Sequence, residues 1–417
     1  MSKLETLIRQ LCPDGVEYKK LGDIATITRG GNLQKKDFTD TGIPCIHYGQ
    51  IYTKYGLFAN KTFTFISEQS ASKQKYAEPN DIVMAVTSEN LEDVCKCVAW
   101  LGDVPAAVSG HTAIIHHSQN PKYLCYYFHS GHFQNQKNRM AHGTKVIEVT
   151  PNKLTDILLP VPPLEIQREI VRILDNFTEL TAELTAELTA ELTARKKQYE
   201  YYRNRLLTFD AYERADNVVW KTLAELGKWS GGKTPSMANQ DYWSEGTIPW
   251  ISSKDMKTST LYDTQDHITE RAVHEASMTI YPKDSIAVVT RSGILKHTFP
   301  VAYVPFEATV NQDIKVLVVN EGVIPRYAFH VIQGKGKDIL AKTKKQGGTV
   351  DSLDFQKVLS YKVPVPSIEI QRRLVDVLDN FEAICSDLNI GLPAEIEARQ
   401  KQYEYYRDKL LTFKPLA

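Results

Sequence analysis

Residues 177–195 read FTELTAELTAELTAELTAR and contain three perfect copies of Thr-Ala-Glu-Leu, at 181–184, 185–188 and 189–192. Ala, Glu and Leu are strong helix formers, and no glycine or proline interrupts them. Leu180, Leu184, Leu188 and Leu192 recur every four residues. Each step overshoots one helical turn of about 3.6 residues by about 40°. The leucine stripe therefore drifts around the helix, in the sense that favours right-handed winding. Ala182, Ala186 and Ala190 fill the flank and the glutamates take the solvated side. The tract reads as a spacer rod with one apolar seam, and its purpose is its length.

What surrounds the rod repeats. Before it, residues 159–177 read LPVPPLEIQREIVRILDNF; downstream, residues 363–381 read VPVPSIEIQRRLVDVLDNF. After it, residues 194–209 read ARKKQYEYYRNRLLTF, and residues 398–413 read ARQKQYEYYRDKLLTF. Both matches share one offset, 363 − 159 = 398 − 194 = 204, so the chain is a tandem duplication. In place of the TAEL tract the second copy has residues 382–397, EAICSDLNIGLPAEIE, where Gly391 and Pro393 break or kink the helix.

Working outward, residues 1–158 read as a mixed α/β domain, with short strands at 43–46, 81–87 and 112–116 and a helix starting near 123–129. Residues 211–362 align loosely with it: Ile43-Pro44 matches Ile248-Pro249, and DIVMAVT at 81–87 matches DSIAVVT at 284–290. The framework is shared while the loops diverge. Gly30-Gly31-Asn32 stands against Gly231-Gly232-Lys233, and Thr87-Ser88-Glu89 against Thr290-Arg291-Ser292-Gly293. Divergent loops on a common scaffold are where binding residues concentrate. Pro-Val-Pro at 160–162 and 364–366 then signals a helix start in each half. The first helix is expected over 164–207, roughly 65 Å at about 1.5 Å per residue. Ile166, Ile170, Ile173, Leu174 and Phe177 form one stripe, and Ile370, Leu374, Val377, Leu378 and Phe381 its counterpart. Isolated helices this long are unstable in water, so the two are expected to pair.

The 417 residues suit two or three domains, and the 42% apolar content is that of an ordinary globular chain. No apolar run is long enough to span a membrane and no signal peptide is evident. The six cysteines show no CxxC spacing and read as reduced thiols of a cytoplasmic protein. Fifty basic residues balance fifty acidic ones, so no gross charge points to nucleic acid, although only the local face matters for binding.

Residues 227–234, GKWSGGKT, satisfy the phosphate-loop pattern and raise the alternative of a nucleotide-binding hydrolase. That loop should follow a buried strand and open a helix, but Pro235 and Ser236 follow at once. A glycine-rich loop that lets backbone approach a DNA phosphate is the better reading. His111, His116, His117, His129, His132 and His142 lack any usual zinc spacing. They read as satisfied or surface histidines. Arg291-Ser292-Gly293 and Asn311-Gln312-Asp313 offer groups able to read guanine and adenine edges, against the equal alternative that they cap turns. QYEYYR recurs intact at 198–203 and 402–407 and suits contacts between helices or with a partner. No adenine-methylase loop and no nuclease triad is found.

Two divergent halves separated by near-identical helical segments resemble the DNA-specificity subunits of type I restriction-modification systems. The resemblance covers the whole chain. It rests on Pro-Val-Pro with Glu-Ile-Gln-Arg, the paired QYEYYR segments and the TAEL tract, together with Gly-Gly-Lys-Thr-Pro-Ser, Ile-Pro-Trp-Ile and Asn-Gln-Asp of the second half. It implies an α+β fold: two pseudo-repeated mixed α/β target-recognition domains, at 1–158 and 210–362. Two long antiparallel paired helical spacers join them, at 159–209 and 363–417. It implies double-stranded DNA as ligand, two methyltransferase subunits as partners and restriction subunits as additional ones. S-adenosylmethionine is expected in the methyltransferases, with no cofactor, metal or catalysis in this chain. The expected DNA-contacting residues are Arg29, Gly30, Asn32, Lys35, Ser88 and His111 in the first half. In the second they are Gly231, Gly232, Lys233, Thr234, Ser253, Lys254, Arg291, Ser292, Asn311, Gln312 and Asp313. The number of TAEL copies is expected to set the gap between half-sites.

Overall fold

The computed structural model describes residues 2–209, 218–345, 350–386 and 391–416. The chain divides into two compact units, one formed by Met1–Glu187 with Ile396–Ala417 and the other by Leu188–Glu395.

In the first unit a five-stranded sheet runs in the order Ala25–Arg29, Thr112–His117, Ile82–Ala85, Cys97–Trp100, Phe58–Ala59. A second five-stranded sheet runs Phe38–Thr39, Thr64–Ile66, Ile43–Ile46, Ala106–Val108, Lys75–Ala77. Ile82–Ala85 and Cys97–Trp100 are buried along their whole length, which is why they read as unbroken apolar runs rather than alternating ones. Helix Pro121–Phe128 lies against the first sheet, started by Asn120 as N-cap with proline in the first turn. The second unit repeats the plan with fewer strands. Its four-stranded sheet runs Gly227–Gly231, Ile314–Val319, Ser285–Val289, Val301–Val304, and its three-stranded sheet Asp266–Ile268, Ile248–Ile251, Thr309–Val310. Here one helix, Pro325–Thr343, covers the ground that Pro121–Phe128 and Gly131–Met140 share in the first unit.

The Pro-Val-Pro segments do more than precede helices. Leu158–Pro160 pairs antiparallel with Tyr18–Lys20, and Lys362–Pro366 with Val218–Thr222. A two-stranded ribbon is all edge, so a proline's missing N–H costs it little. The Glu-Ile-Gln-Arg glutamines follow directly. Gln167 is fully buried; its Oε1 accepts from the Asn120 backbone N–H at 3.0 Å and its Nε2 donates to the Pro162 carbonyl at 2.8 Å. Gln371 makes the same pair of bonds with Ile324 and Pro366, at 2.8 Å each. Each glutamine fastens the start of its spacer helix to the start of the helix on its own sheet.

Helix Leu164–Leu206 forms as expected, ending one residue earlier, and passes from the first unit into the second. The second spacer is interrupted: helix Ile368–Ser386 ends before Gly391, and helix Leu392–Leu410 begins beyond it with Pro393 in its first turn. Residues 387–390, part of the expected break, lie outside the described residues. Ile166, Ile170 and Leu174 are fully buried and Leu374 and Leu378 nearly so, but Phe177 and Val377, at the margins of the two stripes, are exposed.

The repeated tails explain the pairing. In the first unit, Tyr403 meets Thr178 (Oη–Oγ1 3.0 Å) and Tyr406 stacks on Phe177 at 6.0 Å between ring centroids. In the second, Tyr199 meets His330 (Oη–Nδ1 3.2 Å) and Tyr202 lies 6.0 Å from Phe381. Each unit therefore holds the beginning of its own spacer helix and the tail that belongs, by sequence, to the other copy.

Candidate nucleic-acid interface

In both units the glycine loop leaves an edge strand of one sheet, Ala25–Arg29 or Gly227–Gly231, and runs beside the end of a strand of the other, Ala106–Val108 or Thr309–Val310. Gly31 bridges to Ser109, and the Lys233 N–H donates to the Val310 carbonyl at 3.0 Å. A Cβ on Gly30 would lie 2.1 Å from the Ser109 carbonyl oxygen, and one on Gly232 would lie 1.7 Å from that of Val310. The glycines are thus required by the approach of two backbones inside the unit. Their place at the loop needs no phosphate to explain it.

Around this crossing in the second unit the sequence-distant candidates come together. Thr234 donates through its hydroxyl to Gln312 Oε1. The Asn311 N–H reaches the Ile251 carbonyl at 3.0 Å, which sets Ser253 and Lys254, on the following turn, beside the same loop. The Thr290 N–H donates to the Asp313 carbonyl at 2.8 Å, placing Arg291 and Ser292 next to 311–313. Lys233, Lys254, Arg291 and Gln312 are exposed, and Ser253, Ser292 and Asp313 partly so. Asn311 differs: it is buried and its Oδ1 accepts from the Asp313 N–H at 3.1 Å. Asn311 caps the turn, the alternative weighed from its sequence. Lys254 lies 3.7 Å from Asp266, a loose surface pair.

In the first unit Arg29 is exposed but already engaged. Its Nε donates to the Gly110 carbonyl at 2.9 Å and its guanidinium pairs with Glu148 at 2.8 Å. His111 Nδ1 lies 3.1 Å from Thr87 Oγ1, and Ser88 pairs with Ile147 in a short ladder. Asn32 and Lys35 are exposed on the loop that follows the glycines. Sequence reading missed the ring cluster beside them: Tyr48 lies 4.5 Å from His47 and 4.8 Å from His111 between ring centroids. Burial, then the nearby charge of Lys35 and of His111, hold His47 below the usual histidine value. These residues come from separate loops, and no spacing in the chain links them.

Residues 227–231 of the nucleotide-loop pattern are themselves a strand, paired residue for residue with 315–319. The next helical element among the described residues is a short 3-10 turn, Gln240–Tyr242. Without a helix opening at Thr234 there is no row of free N–H groups to cradle a triphosphate, so the hydrolase alternative has no site here.

Of the six histidines between 111 and 142, His129 lies in a group that could hold a metal, with Cys97 and Cys125. Its groups already have partners that a metal ligand could not keep. The Cys125 thiol donates to the Leu57 carbonyl at 3.1 Å, and His129 Nδ1–H donates to the Cys125 carbonyl at 2.8 Å. Burial drives the Cys97 thiol well above its ordinary value, so it stays protonated. Burial likewise pushes His129 down to about 4. A histidine kept neutral when folded binds its proton more readily when unfolded, so it stabilises the fold above about pH 6.5. That contribution is lost as pH falls from there to about 4, on the order of 3 kcal/mol. The second unit has Gln333 at the position of His129, 333 − 129 = 204 residues on. His129→Gln should therefore flatten the fall in urea stability between pH 6.5 and 4. An unchanged pH slope would remove His129 as a cause.

The model of the type I restriction modification DNA specificity domain matches this chain twice, over residues 13–194 and 216–398. The EcoR124I/EcoR124II specificity subunit of Escherichia coli is 40% identical over 422 residues, covering 99% of this chain and 98% of that protein. Among solved structures, a chain from a study of complex assembly and conformational transition in a type I R-M system superposes with a TM-score of 0.70. It has 16% identity and covers 96% of this chain and 98% of that one. The HsdS subunit from Thermoanaerobacter tengcongensis gives a TM-score of 0.55 at 15% identity, covering 96% of each chain. These two structures share the fold.

Proposed function

The chain belongs to the type I restriction-modification DNA specificity family, and from that premise we propose that it reads a two-part DNA site, one part with each unit. The observation that carries this reading is the repeated crossing of glycine loop and strand end in both units, with different exposed side chains around it in each. A fixed scaffold carrying two different loop sets suits two different half-sites. The target-recognition domains are residues 1–158 and 210–362, and the spacer segments 159–209 and 363–417. The partners are two methyltransferase subunits, which carry S-adenosylmethionine and modify adenine, and restriction subunits that join them. This chain supplies recognition and spacing without chemistry of its own, in the cytoplasm. Among the described residues no helix is long and apolar enough to cross a membrane.

Mapping of methylated sites in cells carrying the chain and its methyltransferase partners tests the reading, with two variants as probes. Arg291→Ala should cost about 1–3 kcal/mol of binding and relax one base of one half-site. Lys233→Ala should weaken binding on all sequences alike, since a phosphate contact positions without specifying. If Arg291→Ala leaves both affinity and motif unchanged, this loop does not face the bases. Loss confined to one base pair would contradict the role given to Lys233.

A further inference from the structure

A cavity of about 550 Å³ opens in the second unit beside the proline ribbon. It is lined by Trp220, by Lys335, Lys342 and Thr343 of helix Pro325–Thr343, by Lys357 and Ser360, and by Tyr361 and Lys362. Of its four lysines, Lys342 has a carboxylate partner, Asp338 at 2.7 Å, which also accepts the Tyr361 hydroxyl. Lys335, Lys357 and Lys362 form no ion pair among the described residues. Trp220 stands with about half its surface, 52%, open to solvent.

The duplication shows that the fold does not need this charge. Trp220 pairs with Pro364 in its ribbon as Tyr18 pairs with Pro160 in the other. At the 204-residue offset, Lys335, Lys342, Lys357 and Lys362 correspond to Gly131, Asn138, Lys153 and Leu158. The one lysine among these, Lys153, is tied to the Met140 carbonyl at 2.9 Å. The first unit does have a smaller cavity, about 270 Å³, between Tyr18 and Leu158, but Leu411 and Pro160 line it and it holds one cation, Arg139. The three lysines without an ion pair around this hollow, Lys335, Lys357 and Lys362, repel one another, and an anion bound there relieves that repulsion.

We propose that this cavity binds the phosphates of a nucleotide, held by Lys335, Lys357 and Lys362, with Trp220 as the face on which its base or sugar rests. Its size falls within the roughly 300–1,000 Å³ of small-ligand sites. An exposed indole beside lysines is the pairing that ring stacking and phosphate neutralisation call for. Two sources carry this chemistry, a free nucleoside polyphosphate and the backbone of bound DNA. The site uses none of the loops assigned to base reading, so it stands or falls apart from that assignment.

Calorimetric titration of the full chain with ATP, and separately with tripolyphosphate, both without divalent cation, tests the proposal. Wild type should bind both. The double variant Lys335→Gln with Lys362→Gln should bind both at least tenfold more weakly. Trp220→Leu should weaken ATP several-fold and leave tripolyphosphate unchanged. Lys233→Ala should alter neither, which separates this cavity from the glycine loop. Of the lysines altered, Lys362 is exposed and Lys335 partly so, and an unchanged melting temperature confirms that the variants fold. A duplex lacking the methylation target identifies the source. If it displaces ATP, and its binding becomes less salt-dependent in the double variant, the ligand is the DNA backbone. If ATP binds and the duplex does not compete, the ligand is a free nucleotide. The proposal is overturned if wild type binds neither ATP nor tripolyphosphate and the double variant keeps the wild-type salt dependence on DNA. Equal ATP binding by wild type and double variant would overturn it as well.

Discussion

Deleting two residues from the TAEL tract should abolish sequence-specific methylation, whereas deleting one whole TAEL unit, residues 185–188, should retain it with a shorter gap between half-sites. The reason is rotation. Helix Leu164–Leu206 carries the tract from one unit into the other, so any residues removed turn whatever lies beyond them. Four residues shorten a helix by about 6 Å and leave a net turn of about 40°. Two residues leave about 200°. DNA turns about 34–36° per base pair, since 10–10.5 base pairs complete a turn. The four-residue step thus matches the rotation of one base pair, while its rise exceeds one base pair and falls short of two. A few ångströms of offset can be absorbed by tilt or slight bending, but facing the wrong side of the duplex cannot. Helical propensity is not at stake, because every unit is the same. In vitro methylation on a ladder of spacers should show no product at any spacer for the two-residue deletion. For the four-residue deletion it should peak one base pair below wild type.

Asp379→Ala should destabilise the protein by about 3 kcal/mol, several times the effect expected of the equivalent Asp175→Ala. In the second unit Asp379 accepts from Arg326 at 2.6 Å and from His330 Nε2 at 2.7 Å. Arg326 also pairs with Glu382 at 2.6 Å and donates to Thr260 at 3.0 Å. His330 is fully buried, and burial holds it below its ordinary value. A neutral ring fits both its contacts, Nε2–H donating to Asp379 and Nδ1 accepting from Tyr199. Removing Asp379 leaves a buried imidazole N–H without its acceptor and a mostly buried guanidinium with Glu382 as its remaining carboxylate partner. Breaking a buried ion pair costs about 3–5 kcal/mol. That remaining partner and the partial exposure of Asp379 put the loss at the lower end. At the offset of 204, the first unit has Lys122, Tyr126, Asp175 and Thr178 for Arg326, His330, Asp379 and Glu382. There Lys122 reaches Asp175 at 2.7 Å with both partly exposed, and Tyr126 retains Thr178 at 3.2 Å. Losing that aspartate costs about 1 kcal/mol. Urea denaturation of both variants at neutral pH compares them. Equal losses would mean that the denser network of the second unit adds nothing.

The rod was legible from its composition, and its helix ends within one residue of the expected place, because helix propensity and period are local properties. The duplication was legible for the same reason: a repeat needs no structure to be seen. What was hidden depends on partners far along the chain. Pro160 and Pro364 read as helix starts, but their strand partners, Tyr18 and Trp220, lie more than a hundred residues away. The QYEYYR copies read as contact surfaces, yet nothing in either copy says that Tyr199 is fastened to His330 and Tyr403 to Thr178. In the loops, residue type alone left Asn311 between base reader and turn cap. Only burial and a bond to the Asp313 N–H decide that it caps. The glycines were visible, but the carbonyls of Ser109 and Val310 that demand them were not.

Sequencing of methylated adenines in two strains, each carrying the methyltransferase partners with either the wild-type chain or the chain lacking residues 185–188, tests the central claim most directly. The account predicts one motif per strain, two defined half-sites around an undefined gap. The half-sites should be identical in the two strains and the gap one base pair shorter in the deletion. A single continuous motif, an unchanged gap, or altered half-sites in the deletion strain would contradict it.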